Sequence, residues 1–205
     1  MKPPTTLDNY TKAGFTCTID DKIFSNFSYT QQGGTGIADN AVTVAPSVPA
    51  NGPSIDFSGA WKGSSLINSI TYTVATISGK KSIKDALLSI TGGATTADGG
   101  FTVTELLCLG AMSFTVTGGC PAGSTKETLI RASTGASRPS IDFTPVSQIA
   151  VMDTVNLTVF PNGGKDVSVS SVDNFFSEVP EPGSLALLGT AVLGLSLLAV
   201  RRVLP

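Results

Sequence analysis

With 15 carboxylates, three cysteines and no histidine, this 205-residue chain has a narrow choice of chemistry. A Ser-His-Asp or Cys-His relay needs an imidazole to carry the proton, and zinc and facial-triad iron sites lose their commonest ligand. Glycoside hydrolysis asks for two facing carboxyl groups. Asp20, Asp21, Asp56, Glu105 and Asp142 are available, but no spacing selects a pair. Exposed acids on a β-protein ordinarily serve solvation, so the expectation is a non-enzymatic protein. Calcium would be drawn to Asp and Asn in turns, and Asp39-Asn40 and Asp98-Gly99 are such turns; without an Asp-x-Asp-x-Asp loop, ordinary turn chemistry accounts for them. No metal or cofactor is expected. Trp61, Tyr29 and Tyr72 are the aromatics a carbohydrate would stack on, although a solitary tryptophan in a sandwich suits the core.

The cysteines are Cys17, Cys108 and Cys120, so any single disulfide leaves one over. Cys108 and Cys120 flank what reads as a hairpin region and can pair; Cys17 can instead pin the N-terminus to that hairpin. The spacing contains no C-x-x-C, which argues against a metal site.

The most specific spacing lies at the C-terminus. Pro180-Glu181-Pro182 is followed by 17 uncharged residues, 184–200, and then by Arg201-Arg202. As a helix the apolar run extends roughly 25 Å at about 1.5 Å per residue, just under a hydrocarbon core of about 30 Å. Arg201 and Arg202 can snorkel to the headgroups and make up the difference. Arginines beside a span stay on the cytoplasmic side, which places everything before Pro180 outside the cytoplasm. Proline disfavours helix at itself and at the residue before it, so residues 179–182 are expected to be extended, the form a processing enzyme grips.

In the order and spacing of these three parts the tail resembles the sorting signal of the PEP-CTERM family of exported bacterial proteins. The resemblance covers about the last 27 residues. It implies recognition and cutting near Pro180–Pro182 by exosortase, a membrane-embedded transpeptidase. It also implies passage through the inner membrane to the cell surface or beyond, in bacteria that make the extracellular polysaccharide of biofilms and matrices. Such a protein needs an export leader, yet residues 1–18 contain no apolar h-region or small-residue cleavage site; the expectation is a signal peptide upstream of Met1.

The elements that would position any site are strands. Arg201 and Arg202 are two of the 13 basic residues, so residues 1–183 carry 11 against 15 acids, a net charge of −4 that offers no surface to nucleic acid. Period-two alternation runs through residues 23–29, 67–77, 101–107, 113–117 and 166–172, with Gly-rich turn clusters between them. Many short strands with such punctuation predict an all-β, antiparallel sandwich-like domain over residues 22–178, with an N-terminal segment (1–21) before it and the sorting signal (179–205) after it. Asn162-Gly163 is the strongest hairpin signal, joining strands at 156–160 and 166–172. Residues 80–89 fit a short helix or a strand equally well. Pro-Ser-Ile-Asp-Phe occurs at 53–57 and again at 139–143. Read as duplication, it makes two equivalent strands presenting Asp56 and Asp142 as an acid pair; read as convergence, it is an edge-strand pattern with proline at its start. The second view is preferred, since little else repeats at that offset. The remaining function class is surface binding of glycans or ice. Ice favours a regular Thr ladder, and Thr71-x-Thr73, Thr102-x-Thr104 and Thr115-x-Thr117 follow no fixed period.

Overall fold

The computed structural model describes residues 4–32, 37–49, 52–62, 66–80, 82–91, 99–133, 137–159 and 167–178. They form two six-stranded antiparallel sheets packed face to face. In chain order the elements are β1 (Thr5–Thr6), α1 (Leu7–Tyr10), β2 (Thr16–Ile19), β3 (Lys22–Gln32), a 3₁₀ turn (Asp39–Ala41), β4 (Thr43–Ser47), β5 (Ser54–Lys62), β6 (Leu66–Thr76), β7 (Ile83–Thr91), β8 (Gly99–Leu109), β9 (Thr125–Ala132), β10 (Ser140–Val146), β11 (Gln148–Val159) and β12 (Ser168–Glu178). The first sheet has the order β1-β4-β5-β12-β7-β10 and the second β2-β3-β6-β11-β8-β9.

The alternation read from the sequence is what builds this sandwich. Phe24, Tyr72, Val103, Val151, Val155, Phe57, Leu88 and Phe176 fall on the inward phase of their strands and are buried in one continuous core. Tyr72 sits among aromatic rings, 5.6 Å from Phe27 and Phe57 and 6.5 Å from Phe176, so the two sheets interlock through tilted and edge contacts. β3 keeps its apolar face inward through a bulge between Ser25 and Ser28, where Asn26 takes φ 56°, a left-handed conformation that asparagine tolerates.

Several expectations change. Residues 5–19, expected as an N-terminal segment before the sandwich, are part of it: Leu7, Tyr10, Cys17 and Ile19 are buried in the core, which extends in front of residue 22. Residues 83–91 are a strand, β7. The 113–117 run is no strand; it lies in turns between β8 and β9, where Thr115 closes a tight loop by hydrogen bonds with Gly119. The Asn162-Gly163 turn itself lies outside the described residues, but its flanking strands do not form a hairpin. β11 belongs to one sheet and β12 to the other, so the connection crosses the sandwich.

Candidate functional site

β12 is the last described strand in sequence yet lies inside its sheet, between β5 and β7. Because side chains alternate, Ser171, Asp173, Phe175 and Ser177 point outward while Val172, Asn174 and Phe176 point into the core. The register then lays two rows across β12, β7 and β10 on the outer face: Ser177–Asp85–Asp142 and Phe175–Leu87–Ser140. These residues and Arg138 line a depression of about 810 Å³. Asp85 accepts hydrogen bonds from the Ser177 backbone N–H at 3.2 Å and from the Ser177 hydroxyl, and Lys84 stands 3.8 Å from it. Arg138 is bound to β9 through its backbone to Ile130 and reaches Glu127 at 3.5 Å. The floor is thus an apolar strip, Phe175 and Leu87, bordered by carboxylate, hydroxyl and guanidinium groups. Such a surface can accept and donate hydrogen bonds to a polyol while covering its C–H face.

The repeated Pro-Ser-Ile-Asp-Phe segments fall on β5 and β10 of this same sheet, one internal and one at the edge, with β12 and β7 between them. Asp56 and Asp142 therefore do not meet, and the duplicated acid pair is not formed. Each instead faces another aspartate, Asp173 and Asp85. Burial, then the hydrogen-bonding and charge of the facing Asp56, push Asp173 up to about 7. Ser58 donates to Asp56 at 2.7 Å and steadies the pair.

The outer face of the other sheet is lined by hydroxyl groups. Thr30, Ser69, Thr154 and Thr104 form one row across β3, β6, β11 and β8, and Thr71 stands in the next row beside Met152. The loop after β8 folds over this face: Thr73 Oγ1 donates to the Met112 carbonyl at 2.8 Å, and Phe114, Thr115 and Val116 help line a groove of about 540 Å³. Cys108 and Cys120 are joined by a disulfide that ties the loop to β8, whereas Cys17 is buried in the core outside that bridge. Thr115 and Thr117 sit in this loop, so the Thr-x-Thr motifs do not combine into one ladder.

Inside the sandwich lies a polar group of which the sequence reading named only Glu105. Glu105 on β8 and Asp153 on β11 are register partners, and both are fully buried. Asn174 reaches across from β12 and donates Nδ2 to Asp153 Oδ2 at 2.6 Å. Burial raises Asp153 to about 8, and burial with the charge of Asp153 raises Glu105 well above the carboxylate range. Tyr72 is raised as well, by burial and then by the charges of Asp153 and Glu105, so its hydroxyl feels both acids.

Of the other residues singled out in the sequence, Trp61 and Tyr72 are buried, and Tyr29 is half-buried with its hydroxyl bonded to Asn68 and the Ile37 carbonyl; none offers an open stacking face. Asp20 and Asp21 form the β2–β3 turn, with Asp21 ion-paired to Lys22. Asp39 caps its own turn by accepting the Asn40 N–H, and Asp98 lies outside the described residues. Among the described residues no group of three or more His, Cys, Asp or Glu side chains comes together, and no helix is long and apolar enough to cross a membrane. Pro180, Glu181, Pro182, Arg201, Arg202 and the 184–200 run lie outside the described residues.

The sandwich is similar to the solved structure of TmCBM61 in complex with beta-1,4-galactotriose, at 13% sequence identity and a TM-score of 0.38, over 75% of this chain and 90% of that one. No curated protein sequence matches the chain. A family model, the PEP-CTERM protein-sorting motif, matches residues 178–202, a stretch that takes in Pro180-Glu181-Pro182, the apolar run and Arg201-Arg202 and begins on the last residue of β12. Residues 178–202 are therefore a PEP-CTERM protein-sorting motif, and the chain is an exported, membrane-sorted bacterial protein and an exosortase substrate.

Proposed function

We propose that the chain is a non-enzymatic protein of the cell surface or extracellular matrix, held briefly in the inner membrane by residues 184–200 and released by exosortase cutting near Pro180–Pro182. The observation that carries this reading is the junction itself. β12 ends at Glu178, where the motif begins, so a cut at the tripeptide leaves every described strand attached to the domain. The test is mass spectrometry of the mature C-terminus in the source bacterium. The expected product ends close to residues 180–182; a surface protein that retains residues 185–205 overturns the reading.

A second part of the reading concerns the domain. The depression between β12, β7 and β10 supports glycan binding, because Phe175 and Leu87 provide an apolar strip beside Asp142, Arg138 and Ser140. Asp85 is engaged by both donors of Ser177, which suits a fixed hydrogen-bond acceptor better than a catalytic acid. Ice binding is the weaker choice, since Met152 and Leu106 interrupt the hydroxyl rows of the other sheet. Retention of the chain on the host's own polysaccharide, lost in Asp142→Asn and Arg138→Gln, is the expected outcome; equal retention of wild type and variants would count against this groove.

A further inference from the structure

The buried group at the centre of the sandwich serves neither the sorting signal nor the outer groove. Its strands come from both sheets: Glu105 from β8, Asp153 from β11 and Tyr72 from β6 on one side, Asn174 from β12 on the other. All four side chains are at most 1% exposed. Among the described residues, Glu105 Oε1 and Oε2 and Asp153 Oδ1 have no hydrogen-bond partner, and the Tyr72 hydroxyl and Asn174 Oδ1 have none beyond each other. Leaving even one such buried group unpaired costs about 1–3 kcal/mol, so three carboxylate oxygens in one place call for a missing partner that satisfies several at once.

The nature of that partner follows from the donors and the charge. Among the described residues, neither Glu105 nor Asp153 is ion-paired; the buried lysine, Lys22, is engaged with Asp21 at the β2–β3 turn. The two carboxyl groups also do not bond to each other. Every unpartnered atom is an oxygen. Oxygen donors with two carboxylates suit a hard divalent cation, and Ca²⁺ accepts irregular sets of six to eight oxygens where Mg²⁺ demands a near-ideal octahedron.

We propose that Glu105, Asp153 and the Asn174 carbonyl oxygen form an internal calcium site, with the Tyr72 hydroxyl beside it. The ion balances both carboxylates and joins β8 and β11 of one sheet to β12 of the other, so it acts as a clasp between the layers. Asn174 keeps its N–H bond to Asp153 Oδ2 and turns its oxygen to the ion. An exported protein meets calcium at concentrations that suit the weak sites of extracellular modules, with dissociation constants of about 0.1–1 mM.

The experiment uses the full chain in mild detergent, stripped with EDTA and then equilibrated with CaCl₂ or with NaCl of equal ionic strength. A ligand that binds the folded state alone raises the unfolding temperature as its concentration passes the dissociation constant. The expected result is stoichiometric calcium by elemental analysis and a rise of several degrees in Tm, with tyrosine-sensitised emission when Tb³⁺ is the probe. Glu105→Gln and Asp153→Asn should abolish all three responses; Asp85→Asn and Asp142→Asn, on the outer face, should leave them intact. A wild-type chain that retains no calcium and shows no Tm shift overturns the proposal whether or not the core variants fold. So does a response that survives Glu105→Gln.

Discussion

At the scale of single residues, the most consequential groups are carboxyls held where their charge is unwelcome. Asp173 illustrates the cost on the surface. Its folded-state value, about 7, lies above its ordinary 3.8, so the folded chain holds this proton at pH values where the unfolded chain has lost it. Stability from this group is therefore complete below about 3.8 and declines as pH rises toward 7. Asp173→Asn keeps a donor facing Asp56 and removes the repulsion. It should raise the unfolding free energy by about 1–2 kcal/mol above pH 7, after allowing for solvent screening of a half-buried group, and by almost nothing at pH 4. Urea denaturation of both forms at the two pH values measures the difference. The buried residues were legible in phase if not in meaning. Glu105 falls on the same inward phase as Phe101, Val103 and Leu107, Asp153 lies between Val151 and Val155, and Asn174 between Val172 and Phe176. A polar residue on the apolar phase of a strand was the signal. What a sequence does not state is that three such positions, from three strands and two sheets, converge.

Elements show the same division between local and long-range information. Alternation located most strands because burial on one face is a local constraint. Strand pairing is not local, so Asn162-Gly163 was read as a hairpin although β11 and β12 part company into different sheets. Residues 113–117 alternate as a strand does, but the disulfide 12 residues long in sequence holds them as a loop, and the covalent constraint overrides the pattern. Cys108→Ser with Cys120→Ser is expected to cost about 3 kcal/mol, the loop-closure entropy of a ring of that size, and to free the 111–119 loop from β6. Reversible unfolding for stability and limited proteolysis for the loop report the two effects separately. Gly52 makes a second long-range demand. It has φ +107°, and a methyl group there would come within 2.7 Å of the Phe176 carbonyl oxygen on β12. Gly52→Ala should destabilise the domain by about 2 kcal/mol, combining strain and clash. A thermal shift of wild type and variant at the same pH measures it.

For the whole molecule, β12 ends at Glu178, where the sorting motif starts. Removing residues 179–205 should accordingly leave Tm within about 2 °C of the full chain, since no described strand is lost. Calorimetry of the two forms checks this, and a large drop would mean that the tail contributes to the fold. The groove proposed for glycan binding was least legible. The outer groove needs Phe175, Asp142 and Arg138 side by side, and these come from strands far apart in the chain whose neighbours are set by sheet order.

The position of β12 also has a mechanical side. If the mature chain is tethered through its C-terminus while the domain grips a polymer, tension enters the fold through this strand. β12 is not an edge strand that would peel away one hydrogen bond at a time. It pairs with β5 over residues 168–175 and with β7 over residues 171–178, so a pull along its axis loads both ladders in shear together, and the last described strand becomes the one best placed to bear force.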